Sequence, residues 1–208
     1  MTSPLPPFDW DIFCTVVDNF GDIGVTWRLA RQLQQEAGGT GVRLWVDDLA
    51  SFARICPGLD PALDGQWQQG VYVQRWHDDL PPEAIPARVV IEAFACTLPP
   101  SFIQRMAAQS PAPCWINLEY LSAEAWVEDC HGLASPQRVG NRSLDKYFFF
   151  PGFAEKTGGL LCERGLIAER EHWQQDEAGL DVYWASMGLP PRQENELRVS
   201  LFTYESAA

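Results

Sequence analysis

The residues most able to do chemistry lie in one short segment, Val17-Asp18-Asn19-Phe20-Gly21-Asp22-Ile23-Gly24. Asp18 and Asp22 are four positions apart, so a helix opening here would set their carboxylates about 6 Å from one another. At that distance they repel by roughly 2–3 kcal/mol at an effective dielectric near 20, of which a helix N-terminus offsets only about 0.3–2 kcal/mol. A pair kept under such repulsion holds a proton or a cationic group, as catalytic carboxylates commonly do. The plain alternative makes Asp22 a helix cap and Asp18 a turn former, each worth about 1 kcal/mol or less. Spacing alone leaves both readings open.

A dinucleotide site in the same place would need GxGxxG, whose glycines let the backbone close on a pyrophosphate. Only Gly21 and Gly24 are present, and two carboxylates would repel the phosphates, although Asp47 stands where a ribose-binding acid is expected. The loop is suited to a cation or a proton. Glu92, in Val90-Ile91-Glu92-Ala93-Phe94-Ala95-Cys96, and Glu119, in Ile116-Asn117-Leu118-Glu119-Tyr120-Leu121, close two further strand candidates, so four acids could line one crevice. Taken singly, each of the two reads more readily as a solvated strand end or a cap.

The elements that must position these residues follow from periodicity. Trp10 to Val17 is a buried-strand run, Ile23, Trp27, Ala30, Leu33 and Ala37 recur at helical spacing, Gly38, Gly39 and Gly41 stop that helix, and Val42 to Val46 is a second strand. Residues 10 to 46 thus form one right-handed βαβ unit. Further strands are expected at Gly70 to Val73, Arg88 to Phe94, Cys114 to Leu118 and Lys146 to Phe150, with Phe148 to Phe150 in the core. Helices are expected at Leu49 to Arg54, Ser101 to Gln109, Ala123 to Cys130 and Ala168 to Ala178. The alternation predicts an α/β fold with a doubly wound, Rossmann-like parallel sheet, whose ligands sit outside the carboxyl ends of the strands. Pro151-Gly152-Phe153 with Thr157-Gly158-Gly159 is either a loop at that crevice or a connection. A polar, proline-marked linker from Gly188 to Glu196 then leads to a strand-like run, Leu197 to Tyr204, read as the opening of a second domain in a truncated protein.

Length and composition fit this. The chain has 208 residues, 46% hydrophobic and 21% charged, ample for a core. With 15 Lys+Arg against 28 Asp+Glu, its net charge of −13 disfavours nucleic acid and anionic lipid and favours a basic partner. No secretion signal or membrane-spanning run is visible, and the six cysteines show no CxxC or zinc spacing, reading as reduced, mostly buried cytoplasmic thiols. His77, His131 and His172 lie far apart and read as structural.

Several segments carry a resemblance. Trp10-Asp11-Ile12-Phe13-Cys14, Val17 to Gly24, Trp27-Arg28-Leu29-Ala30-Arg31, Glu92 to Cys96, Leu118-Glu119-Tyr120-Leu121-Ser122, Tyr147 to Phe153 and Thr157-Gly158-Gly159 resemble the bacterial elongation factor P arginine rhamnosyltransferases, the EarP family. The resemblance covers nearly the whole chain. It implies the N-terminal domain of a GT-B enzyme that transfers rhamnose, with inversion, from dTDP-β-L-rhamnose to one arginine of translation elongation factor P. It assigns Asp22 as base and Asp18 as its partner, with Asn19, Phe20, Glu92 and Glu119 on the acceptor side and Phe202 and Tyr204 on the donor side. It implies no cofactor, no metal, a cytoplasmic setting and a monomer. The expected division is residues 1–188 as the acceptor-binding domain and 189–208 as a linker with the first strand of a donor-binding domain. Two other readings remain: a docking module for elongation factor P without chemistry, and an unrelated nucleotide-binding Rossmann domain.

Overall fold

The computed structural model describes residues 8–17, 20–36, 41–77, 79–94, 96–191, 193, 195–199 and 201. Asp18, Asn19, Phe202 and Tyr204 lie outside them.

Six parallel strands form the body of the sheet. They are β1 (Trp10–Cys14), β2 (Val42–Val46), β4 (Val71–Arg75), β5 (Val89–Ala93), β6 (Cys114–Leu118) and β8 (Arg142–Phe149). Two antiparallel strands, β3 (Gly65–Gln68) and β7 (Ala134–Val139), complete an eight-stranded sheet of order β3-β4-β2-β1-β5-β6-β8-β7. Counting only the parallel strands, the order is 3-2-1-4-5-6, the Rossmann order, which reverses direction between β1 and β5. The central strands are apolar on both faces because helices cover both. Val42 to Val46 are all buried, and their register against β1 runs from Trp10 beside Val42 to Cys14 beside Val46.

Parity along the strands assigns side chains to the faces. Ile12, Cys14, Leu44, Val46, Ile91, Ala93 and Leu118 face one core with Ile23, Trp27 and Ala30 of α1 (Gly21–Glu36) and Leu49 and Phe52 of α2 (Leu49–Ala53). Phe13, Trp45, Val90 and Trp115 face the other, with Phe102 and Met106 of α3 (Pro100–Ala108). There Phe13 stacks on Trp45 at 5.5 Å and meets Trp76 and Phe102 edge-on. In α2, Asp48 accepts from the Ala50 and Ser51 N–H groups, and these bonds with the Ser51 hydroxyl pull its carboxyl below the ordinary range.

Several elements differ from the sequence expectation. β1 stops at Cys14, not Val17, and two residues on the Val16 N–H turns to the Asp47 carboxylate at 2.9 Å instead of a neighbouring strand. β3 and β7 were not expected, and each is one arm of a tight hairpin. Gln69 and Gly70, both at positive φ (48° and 82°), turn β3 into β4, and Gly140 (φ 57°) opens the turn from β7 into β8. β8 consequently begins at Arg142, and of the three phenylalanines only Phe150 is buried, Phe149 being exposed on a strand flanked by the hairpin. The helix expected from Ala123 is only α4 (Val127–Cys130). That expected over Ala168 to Ala178 is two, α5 (Leu166–Gln175) and α6 (Glu177–Ser186), parted at Asp176, which accepts from the Gly179 N–H to cap the second. Three cysteines, Cys14, Cys56 and Cys96, are buried, while Cys114 and Cys162 are exposed.

The chain divides into two compact units, Met1–Leu161 and Cys162–Ala208. In the second, the ring of Trp173 on α5 meets that of Tyr183 on α6 edge-on at 5.3 Å. The strand expected from Leu197 is not formed at Leu197 to Val199 or at Leu201. Arg198 instead lies over the Trp184 ring at 4.8 Å and pairs with Glu196 at 2.8 Å. A strand with no neighbour lacks the ladder that would hold it extended.

Candidate active site

Strand order reverses between β1 and β5, the place where such sheets bind ligands, and the residues that follow β5 and β6 meet the first turn of α1 at the carboxyl ends of the strands. Asp22 is in the first turn of α1 and is only 1% exposed. Its Oδ2 accepts from the Val17 N–H at 2.9 Å and its Oδ1 from the Tyr120 hydroxyl at 2.9 Å, neither donor belonging to α1. The helix is fixed beneath it by the Thr26 hydroxyl, which donates to the Asp22 carbonyl at 2.9 Å. A carboxylate ordered by two external donors in a helix's first turn is held in one orientation, as a proton acceptor must be.

Tyr120 follows β6 and is 54% exposed, with its ring stacked on Phe94 at 4.4 Å and 17°. Phe94 follows β5 with φ 56°, a left-handed backbone that an aromatic residue rarely adopts, and its N–H donates to the Leu118 carbonyl at 2.7 Å. Such a conformation costs on the order of 1–3 kcal/mol and persists only where its surroundings impose it. The strand ends at β5 and β6 thus hand an aromatic pair across to Asp22.

Glu92 has a different setting. It shares the parity of Val90 and so lies on the α3 face, whereas Asp22 lies on the α1 face. It is 3% exposed; its Oε1 accepts from Lys146 Nζ at 2.5 Å and its Oε2 from Trp115 Nε1 at 3.1 Å, while Lys146 also sits 5.1 Å from the Trp115 ring. Burial pushes the Glu92 carboxyl up, Lys146 and Trp115 pull it back, and Glu119 adds a smaller upward push. Glu119, half-buried, accepts from Asn117 Nδ2, and its N–H donates to the Phe149 carbonyl at 2.9 Å. Of these acids, Asp22 and Glu92 belong to opposite faces of the sheet, and Asp18 lies outside the described residues. Phe20 is exposed beside Asp22 in sequence, and Asp47 is tied to backbone through the Val16 and Asp48 N–H groups. Pro151 and Gly152 pair with the segment after Tyr120, through the Ser122 N–H to the Pro151 carbonyl, so this loop runs beside the connection that leaves β6, on its β8 side.

Burial pushes the Cys14 thiol up to about 12 and the Cys96 thiol up as well, so neither supplies a thiolate at neutral pH. His131 accepts the Phe150 N–H on Nδ1, a structural use. Among the described residues no group of three or more His, Cys, Asp or Glu side chains could hold a metal ion, and no helix is long and apolar enough to cross a membrane. Sequence reasoning passed over Tyr120 and Phe94 as site residues; the signal available was that both stand at the ends of adjacent strands.

A Rossmann-ordered sheet that offers an oriented carboxylate at its switch point, where nucleotide binders place glycines, defines an acid-bearing α/β domain rather than a dinucleotide-binding one. Residues 10–208 match the family described as Elongation-Factor P (EF-P) rhamnosyltransferase EarP, and the chain belongs to that family. It is 54% identical over 197 residues to a protein-arginine rhamnosyltransferase of Pseudomonas putida, covering 95% of this chain and 51% of that protein. A protein of the same name from Shewanella oneidensis is 52% identical over 202 residues, covering 95% and 50%. One from Neisseria meningitidis is 45% identical over 164 residues, covering 76% and 40%. The chain spans about half the length of these relatives.

Proposed function

We propose that this chain supplies the acceptor side of a protein-arginine rhamnosyltransferase, within a GT-B enzyme that moves rhamnose from dTDP-β-L-rhamnose to an arginine of translation elongation factor P. The observation that carries the reading is Asp22, a buried carboxylate held in one orientation at the switch point of a chain from this family. A guanidinium has a pKa above 12 and is a poor nucleophile until carboxylates fix its plane and take its proton. Asp22 is the base, with Asp18 beside it in sequence as the second carboxylate. A guanidinium nitrogen attacks C1 of the sugar, the N–C1 bond forms as the C1–O bond to the diphosphate breaks, and the nitrogen's proton passes to Asp22. One displacement inverts C1. The leaving diphosphate draws its donors from the donor-binding half, to which Phe202 and Tyr204 belong in this reading, and neither a metal nor a covalent enzyme intermediate is required. On the acceptor side, Asn19 and Phe20 precede Asp22 in the same segment, Glu119 precedes Tyr120 after β6, and Glu92 adds its carboxylate at the end of β5. A net charge of −13 steers a basic acceptor protein toward this domain in the cytoplasm, where the enzyme works as a monomer.

The test is a chimaera in which residues 1–188 replace the matching segment of the Pseudomonas putida relative. Incubated with dTDP-β-L-rhamnose and elongation factor P, it should add one deoxyhexose to a single arginine by mass spectrometry, and none when that arginine is changed to lysine. No transfer from a folded chimaera, with the parent active, would overturn the reading.

A further inference from the structure

Resting on the reading of an arginine acceptor, we propose that Tyr120 is a specificity-determining residue: its ring, backed by Phe94, is the face on which the acceptor guanidinium lies, and its hydroxyl holds Asp22 in register with it. Three observations carry this. The first is reach: the Tyr120 hydroxyl touches Asp22 Oδ1 at 2.9 Å, so a planar cation over that ring is already at the carboxylate. The second is the state of the ring. One face is stacked on Phe94, and yet the residue is 54% exposed, so the ring is held in place while much of it meets solvent. The third is the backbone of Phe94, kept at φ 56° with its N–H on the Leu118 carbonyl. A left-handed phenylalanine beneath a solvent-facing tyrosine is a strained arrangement with no burial gain for the tyrosine, which is the pattern of a preformed binding surface.

The chemistry selects arginine over lysine. A guanidinium is planar and weakly hydrated, so it can lie flat on an aromatic ring while its edge meets a carboxylate. An ammonium is a compact, strongly hydrated point charge that can satisfy one of these contacts at a time. Asp22 alone would accept either cation. The added ring makes the site read shape as well as charge.

The test uses the 208-residue chain with tyrosine rings carbon-13 labelled, titrated with N-acetyl-arginine methylamide and with the lysine counterpart while ring signals are followed by NMR. The Tyr120 signal should move saturably with the arginine compound, and the lysine compound should bind roughly tenfold more weakly. Tyr120→Leu should weaken the arginine compound by roughly tenfold, whereas Tyr120→Phe, which keeps the ring, should stay within about threefold. In the chimaera, Tyr120→Phe should lower kcat with little change in the KM for the acceptor, since it frees Asp22 without removing the platform. Equal affinity for the two compounds, or a Tyr120 signal that moves with neither, would overturn the inference without need of any variant. The titration contains no sugar donor, so its failure is distinct from a failure of rhamnosyl transfer.

Discussion

Asp22 and Glu92 are both almost fully buried, both stand at the carboxyl edge of the sheet, and both have each carboxylate oxygen occupied, yet their partners differ in kind. Glu92 is bonded to a cation and an indole that belong to the same sheet face, Trp115 and Lys146 being neighbours in the β6–β8 register. Asp22 is bonded to a backbone N–H and to a hydroxyl on a residue that is more than half exposed. The first carboxylate is paired with a cation fixed in the sheet, whereas the second is oriented by donors from outside its own helix. Burial alone therefore does not separate the two carboxylates; the nature of the partner does.

The sharpest way to break the comparison is through activity. Asp22→Asn in the chimaera should lower kcat by about 10²–10⁴-fold while costing roughly 1 kcal/mol or less in urea unfolding, because the amide keeps the shape and its oxygen still accepts from the Val17 N–H, the Tyr120 hydroxyl can turn to accept from its NH2, and the ability to take a proton is lost. A variant that turns over at the parent rate would reduce Asp22 to a structural residue like Glu92.

Next in size is Lys146→Met, which leaves Glu92 buried without its cation and should cost about 3–5 kcal/mol at neutral pH. The pH dependence has a definite sign. Burial raises the folded-state pKa of Glu92, so between its ordinary value and the raised one the folded protein holds a proton that the unfolded chain has released, and stability falls as pH rises through that window. Lys146 opposes this shift, so removing it widens the window. Urea unfolding of Lys146→Met should show a smaller penalty near about pH 4, where Glu92 is protonated, than near about pH 7. An equal penalty at both would mean that the pair is not what settles the charge.

The smallest effect is expected from Glu92→Gln. It removes one charge of a buried pair but keeps an acceptor for Trp115, and the Lys146 side chain, 20% exposed, can reach water. Stability should move by about 1 kcal/mol or less in either direction, and transfer by less than about threefold. A loss of activity as large as that of Asp22→Asn would show that the two carboxylates work together across the sheet.

The parallel frame was legible from apolar runs alone: Val42 to Val46 and Cys114 to Leu118 fall on the residues expected, because fully buried strands carry a continuous signal. The edges were not. In β7 Pro136 argues against a strand by propensity, and the two-residue Gly140-Asn141 connection is the cue that outweighs it once the hairpin is considered. In the site, the place of Asp22 at the opening of a helix was readable from residue type and spacing. The face on which each acid lies was not, since it depends on strand parity counted from an uncertain first residue. Nor was Phe94, because no residue type announces a left-handed backbone unless it is glycine or asparagine.

The outermost strands carry a consequence for how the protein behaves in concentrated solution. Both run against their neighbours, and β3 is only four residues long with no fully buried position, while Pro136 in β7 leaves a gap in the row of donors that the outer edge presents. An edge that is short, or missing an N–H, is a poor template for another chain. The central strands between them, β2 above all, are buried on both faces and carry the continuous apolar runs that pair readily with another chain. The two hairpins terminate that row, so a sheet made of aggregation-prone sequence stays finite.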